Sequence, residues 1–306
     1  MEAIDLTDIR ELTGNDLPAL LDLCTRALPL DAFSLPLLHS RIMEEPEHQP
    51  SLQLAAWNGD QLVGAMLAGV RDGAQEPSVA IRLFAVEPSV RRKGVATGLL
   101  REIESRVRRD GHRRLTVAQQ APVYFWPGVD VRYTPAICFL EANAYERTGE
   151  AINMDVDLSI RDWDATEVEA RLATDGYEVR RLQAEDREGF VAWMREAWNP
   201  TWAYEALESL KNDPVSTWVA TRGETYHAFA SYDCTAFAGG FGPTGTDERL
   251  RGKGIGTVLF NRCMQDMRAL GYSKCEVCWT GPVAFYAKAA DAWISRVFWS
   301  MQKDLG

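Results

Sequence analysis

Apolar residues recur three to four positions apart at Val95, Leu99, Ile103 and Val107, and again at Ile255, Leu259, Cys263, Met267 and Leu270. That period predicts two amphipathic helices. Each opens on a basic, glycine-bearing turn: "VRRKGVATGLL" from Val90 to Leu100 and "RLRGKGIGTVLF" from Arg249 to Phe260. The β-prone run "SVAIRLFAV", Ser78 to Val86, precedes the first turn and stops at Glu87-Pro88. The weaker, Gly-rich "CTAFAGGFGPTGT", Cys234 to Thr246, precedes the second. After the helices come the strand patterns "RRLTVAQ" and "SKCEVCW".

The two stretches are in register. Arg91 and Arg251 lie 160 residues apart, and the same spacing carries Gly94 to Gly254, Ala96 to Gly256 and Gly111 to Gly271. Matching helix length and strand position point to duplication rather than a chance motif. Upstream, the first half predicts a strand near Ile9–Leu12, a helix from Asp16 capped by "TGND", and a helix over Ser34–Glu44. The strands "SLQLAAW" and "QLVGAMLAGV" follow, joined by the Asn58-Gly59 hairpin signal. The second half predicts the strand "YEVRRL", helices over Glu185–Trp198 and Tyr204–Leu210, and the strands "STWVATRG" and "TYHAFASY". The C-terminal "WISRVFWSMQKDL" reads as a strand closing the sheet. The expected fold is α/β: two tandem units over 1–160 and 175–306, each a mixed, mostly antiparallel sheet flanked by helices, with a polar linker over 161–174 that carries a short helical pattern.

Length and composition agree with this division. A chain of 306 residues, 46% hydrophobic and 25% charged, suits two soluble globular domains. Its formal charge of −11 disfavours nucleic acid and anionic membrane surfaces and tolerates a cationic substrate. The opening "MEAIDLTDIRELTGNDL" carries acids where a secretory leader needs a basic start, and the six scattered cysteines fit a reduced, cytoplasmic setting. Cys275 and Cys278 form a lone CxxC in a strand, where positions three apart face opposite ways; no metal site is expected.

The glycine turns carry the chemistry. The first turn of a helix presents unpaired amides and the positive end of the dipole, a site for an anion. Gly252, Gly254 and Gly256 clear side chains from that site, while Arg251 and Lys253 add charge. A diphosphate accounts for both features. The spacing fits neither a Walker loop nor a Rossmann turn. What remains is Arg-x-x-Gly-x-Gly/Ala, "RGKGIG" and "RRKGVA", and here the sequence resembles the GCN5-related N-acetyltransferase family. "FAVEPSVRRKGVATGLL" is the closer copy; the second has Thr246 and Glu248 where the family usually has Val and Pro.

The resemblance implies acetyl-CoA as co-substrate, with no metal. Its diphosphate would sit on Arg91, Arg92, Lys93, Gly94, Val95, Ala96 and Thr97 after Val86, and on Arg251, Gly252, Lys253, Gly254, Ile255, Gly256 and Thr257 after Thr246. Its pantetheine arm would add like a strand to the strand before each loop, with the thioester where that strand diverges from the next. The family often places a tyrosine on the following helix as general acid. "PVAFYAKAA" supplies Tyr286, whereas "PAICFLEANAYE" aligns Leu140 there. By this alignment the loop before Leu140 is 14 residues longer, and it carries Tyr124 and Tyr133 as possible replacements. A base is less evident: Asp233, Asp247, Glu276 and His227 lie nearest, and Glu276 is the chosen candidate. Trp193, Trp198, Trp202 and Trp279 would wall an acceptor pocket or form core.

The expected activity is acetyl transfer to a primary amine of a small molecule, by direct attack, in the second unit of a monomer or homodimer. The first unit would bind acyl-CoA or act as scaffold. Protein acetylation at a lysine or N-terminus, and a non-catalytic acyl-CoA sensor, are the alternatives.

Overall fold

A computed structural model describes residues 8–45, 47–71, 77–234 and 237–306. The opening stretch and the strand expected over 234–246 therefore fall partly outside the described residues. The chain divides into two compact units, Met1–Ala151 with Phe298–Gly306, and Ile152–Val297.

In the first unit β1 (Ile9–Glu11) leads to α1 (Leu17–Ala27) and the short α2 (Leu35–Leu38). A capping box starts α1, with Asp16 Oδ2 accepting from the Thr13 amide at 2.8 Å. The helix expected over 34–44 begins with Ser34 Oγ accepting from the Leu37 amide, then widens to a π-helical turn over His39–Met43. β2 (Gln53–Asn58) and β3 (Gln61–Arg71) form the hairpin that Asn58-Gly59 predicts, with Gly59 at φ +59°. Next come β4 (Ser78–Val86), α3 (Val95–Arg109), β5 (Arg114–Val117), β6 (Val129–Asp130), α4 (Thr134–Ala142) and β7 (Glu146–Asp157). The β1–β4 pairings are antiparallel, and β4–β5 is parallel at Ala80↔Thr116 and Ile81↔Val117. The apolar stripe of α3 packs on one face together with α4, while α1 and α2 cover the other.

In the second unit α5 (Thr166–Thr174) precedes β8 (Glu178–Arg181), α6 (Arg187–Ala197), α7 (Pro200–Glu208), β9 (Thr217–Arg222), β10 (Thr225–Tyr232) and β11 (Gly240–Thr246). α8 (Ile255–Ala269), β12 (Lys274–Val277), α9 (Val283–Ala290) and β13 (Trp293–Asp304) complete the chain. β8 to β11 pair antiparallel, and β11–β12 is parallel at Gly240↔Glu276 and Phe241↔Val277, each 160 residues from its twin pair.

Two features depart from the sequence reading. The strand β7 carries no expectation there, although "AINMDV" buries Ala151, Asn153, Met154, Asp155 and Val156. The boundaries also differ from 1–160 and 175–306, because β7 and β13 each begin in one unit and end in the other. The end of β7 pairs with β12 (Asp157↔Lys274 to Met154↔Val277), and the end of β13 pairs with β5 (Met301↔Val117 to Asp304↔Arg114). The short helical pattern of the segment expected as a linker forms α5, whose Leu172 is buried.

One polar anchor fixes the start of α6. Asp186 receives Arg180 at 2.6 and 2.8 Å, the Tyr226 hydroxyl at 2.7 Å and the Gln183 amide at 2.8 Å. The Arg180 hydrogen bonds hold its carboxyl down at about 2. A carboxyl depressed in the fold contributes stability above its unfolded pKa, and that contribution is lost as pH falls through the folded value. Asp186→Asn should thus lower stability by about 2 kcal/mol at pH 7. The deficit should shrink between roughly pH 4 and pH 2, and a pH series of thermal melts checks it.

Candidate active site

Both helix starts adopt one backbone path. Gly94 and Gly254 stand at φ +91° as N-caps of α3 and α8, and no side chain caps either helix. Two residues earlier the first copy places Arg92 at φ +63° where the second has Gly252 at +81°. The first ladder bonds are Gly98→Gly94 at 2.9 Å and Val258→Gly254 at 3.0 Å. The amides of 95–97 and 255–257 therefore lie ahead of the ladder, where an anion can accept from them.

The basic residues divide in role. Arg91, though exposed, donates from Nε to the Val86 carbonyl at 3.2 Å and from Nη2 to the Ala27 carbonyl at 3.0 Å, so it ties the loop to β4 and α1. Arg251 pairs with Glu248 at 3.0 Å on the surface. Arg92, Lys93 and Lys253 are exposed. In the second copy α5 backs the loop: a Cβ on Gly254 would meet Val168 Cγ1 at 2.9 Å, and Arg171 donates to the Lys253 carbonyl at 3.4 Å. Gly256 lies against Thr246 Oγ1, 3.1 Å from where its Cβ would be.

A mostly apolar cleft of about 680 Å³ opens at the first loop. Val86, Arg91, Arg92, Gly94, Val95, Ala96 and Thr97 line it; Lys93 does not. The cleft follows β4 back to Arg82 and Ile81 and reaches Val117 at the end of β5 and Ala118 just after it. There the two strands part: the Ala118 amide makes the last bond, to the Ile81 carbonyl at 2.7 Å, and Ala118 and Gln119 turn away at φ +60° and +65°. β4 thus keeps an open edge that an extended ligand can join through main-chain hydrogen bonds.

The long loop brings further groups to this cleft. Tyr133, at the start of α4, lines it; its hydroxyl donates to Asp31 Oδ2 at 2.7 Å and accepts the Leu30 amide at 3.1 Å. Trp126, another wall residue, donates to Asp31 Oδ1 at 2.8 Å. Tyr124 is buried outside the lining, and Leu140 is core. The sequence reading misses Asp31, because nothing in a loop aspartate signals the two donors that tertiary structure gathers on it.

In the second unit Tyr286 is 3% exposed, its ring packed by Phe241, Phe260 and Phe285 at centroid distances of 5.0 to 6.1 Å. Burial raises its hydroxyl far above the usual phenol range. Glu276 accepts from Asn153 Nδ2 at 2.6 Å and faces Arg296 at 3.9 Å; burial pushes its carboxyl up. The alternation of β12 separates the two candidates. Cys275 and Val277 join the core around Tyr286, so Glu276 faces the other side of the sheet. Asn153 also accepts the Trp279 amide at 2.8 Å and so links Glu276 to the turn after β12.

The remaining candidates have structural partners. Asp233 accepts the Gly239 amide at 2.6 Å and the Tyr272 hydroxyl at 3.0 Å, and Asp247 caps the turn at Arg249 with His227 3.9 Å away. Trp193, Trp198 and Trp202 pack on Phe229 under α6 and α7, with Trp198 seated over Gly245. Trp279 is 41% exposed. All six cysteines are free thiols. Among the described residues no group of three His, Cys, Asp or Glu could hold a metal ion, and no helix is long and apolar enough to cross a membrane.

Comparison with known proteins agrees with this geometry. The GCN5-related glucosamine N-acetyltransferase region of a fungal multi-domain GH3 β-N-acetylglucosaminidase superposes with a TM-score of 0.78 at 16% identity; the match covers 96% of this chain and 38% of that one. A GCN5-related N-acetyltransferase from Sphaerobacter thermophilus gives 0.68 at 17% identity, covering 97% and 95% of the two chains. A tandem GNAT protein from the clavulanic acid biosynthesis pathway gives 0.71 at 16% identity, covering 98% of each. These likenesses are of fold. No curated protein matches the chain. Residues 17–124 and 177–290 each match the Acetyltransferase (GNAT) family, so the chain belongs to that family of acyl-CoA N-acetyltransferases and carries its fold twice.

Proposed function

We propose that the protein transfers the acetyl group of acetyl-CoA to a primary amine of a small molecule, and that the first unit's cleft holds the acetyl-CoA. The supporting observation is the continuity of that cleft, from the uncapped start of α3 to the point where β4 and β5 diverge. The residues fit the group: uncapped amides at 95–97 for a diphosphate, an open β4 edge for an amide-bearing arm, and apolar walls beyond. When bound, acetyl-CoA supplies a thioester open to attack by the amine. The chain then has to hold an anion, align the arm and move a proton. Tyr133 Oη, held by Asp31 Oδ2 at 2.7 Å, would give the departing sulfur its proton and regain one from solvent, while the amine would release its own proton to water. In the second unit Tyr286 and Glu276 would have to act from within the core and from opposite faces of the sheet.

Two single substitutions distinguish the units. Tyr133→Phe should lower kcat about a hundredfold with little change in acetyl-CoA affinity. Tyr286→Phe should change kcat by no more than about threefold, since its ring and packing are retained. The opposite ranking would move catalysis to the second unit. Acetyl-CoA binding without turnover over a broad amine panel would leave a sensor, and turnover confined to peptides would make the acceptor a protein.

A further inference from the structure

We propose that the amine acceptor carries an aromatic body and that Trp126 is the wall on which it packs, a reading that rests on acetyl-CoA binding in the first unit's cleft. Two sets of bonds place Trp126 at the reacting end of that cleft. The Ala118 amide makes the last bond to β4, and the next amide, of Gln119, donates to the Trp126 carbonyl at 3.2 Å. The main chain of Trp126 thus stands where β4 and β5 part. Its indole Nε1 and the Tyr133 hydroxyl meet on the two oxygens of Asp31, at 2.8 and 2.7 Å, so ring and hydroxyl are neighbours. The acceptor nitrogen has to come within about 3.5 Å of the acyl carbon. That carbon is bonded to the sulfur beside Tyr133, so the group the nitrogen carries comes against Trp126.

What Trp126 offers there is carbon. Its one polar side-chain atom is taken by Asp31, and Phe33 and Phe125 pack on the ring at centroid distances of 5.9 and 5.5 Å. A ring held at its nitrogen edge and by two neighbours keeps one orientation, yet it is only partly buried and lines the cleft. Flat apolar surface fixed in this way favours an aromatic partner, through ring–ring contacts that add to area burial.

Other amines find less to bind. Asp130 is the carboxylate of the lining, and Arg132 holds it from Nε and Nη2 at 3.0 and 2.7 Å. The remaining charged side chains of the lining, Arg82, Arg91 and Arg92, repel a second ammonium. An aminosugar would set its hydroxyls against carbon. The wall is also an addition to the duplicated framework. Residues 118–133 separate β5 from α4, whereas 278–282 suffice between β12 and α9.

The test uses the full chain with acetyl-CoA held saturating. The kcat/KM for phenethylamine should exceed those for ethanolamine, spermidine and glucosamine about tenfold or more. Trp126→Ala should bring the ratio of phenethylamine to ethanolamine within about threefold of one, and Trp126→Phe, which keeps a ring, should fall between. A purely structural role would slow both amines alike and leave the ratio unmoved. If Trp126→Ala does not fold, as judged by circular dichroism, the wild-type ratios and Trp126→Phe decide. Wild-type ratios near one, a preference for spermidine or glucosamine, or an aromatic preference that survives in folded Trp126→Ala overturns the proposal. So does a protein that binds acetyl-CoA by calorimetry and acetylates no amine of the panel. Failure of the underlying reading looks different: acetyl-CoA itself does not bind, and the assignment of Trp126 falls with it.

Discussion

Gly94→Glu is expected to weaken acetyl-CoA binding about a hundredfold, the loss of one to two charge-assisted hydrogen bonds. Three effects act together. Gly94 holds φ +91°, where a side chain costs about 1 to 2 kcal/mol. The new side chain would enter the wall of the cleft next to the amides of 95–97. Its carboxylate would also take the dipole end offered to the diphosphate. The twin position predicts a different outcome. A Cβ at Gly254 collides with Val168, so Gly254→Ala should lower the melting temperature by loosening α5 from the loop, with acetyl-CoA affinity near wild type. Calorimetric titration of both variants checks the pair. Undiminished affinity in Gly94→Glu would remove the first loop from the binding site.

A second large effect concerns the chain as a whole. Neither 1–160 nor 175–306 should fold when expressed alone, although each holds a complete family match. The first fragment lacks Met301–Asp304, the partner of β5; the second lacks Met154–Asp157, the partner of β12. Each would expose an unpaired edge beside the diverging strands and lose buried residues, Phe298 and Met301 in one case, Met154 and Val156 in the other. Insoluble or molten fragments are the expected result. A soluble fragment with a cooperative melt would show that the exchanged strands are dispensable.

Much of the architecture was legible in the residues. Helical periodicity located α3 and α8, alternation and turn chemistry located β2, β3, β4, β9 and β10, and the 160-residue register exposed the duplication. These signals are local: a 3.6-residue stripe or an Asn-Gly turn needs no distant partner to be read. β7 carries the same local signal, since Ile152-Asn153-Met154-Asp155-Val156-Asp157 alternates apolar and polar; what no local signal gives is its partner β12, more than a hundred residues away, whose Glu276 and Lys274 engage Asn153 and Asp155.

The site divides along the same line. Sequence by itself determined the two glycine helix starts, since positive φ and uncapped amides follow from glycine at that position in a strand–turn–helix. It also determined the family and the doubled fold. Only tertiary structure decided what surrounds each start. In the first unit the strands part over an apolar cleft lined by Trp126 and Tyr133, whose donors converge on Asp31 from a distant segment. In the second, Phe241, Phe260 and Phe285 enclose the tyrosine that the motif pointed to, and pleat alternation turns Glu276 away from it. The physical reason is that a loop of one backbone path fixes an anion site within a few residues, whereas access to that site depends on side-chain volume contributed from elsewhere in the chain.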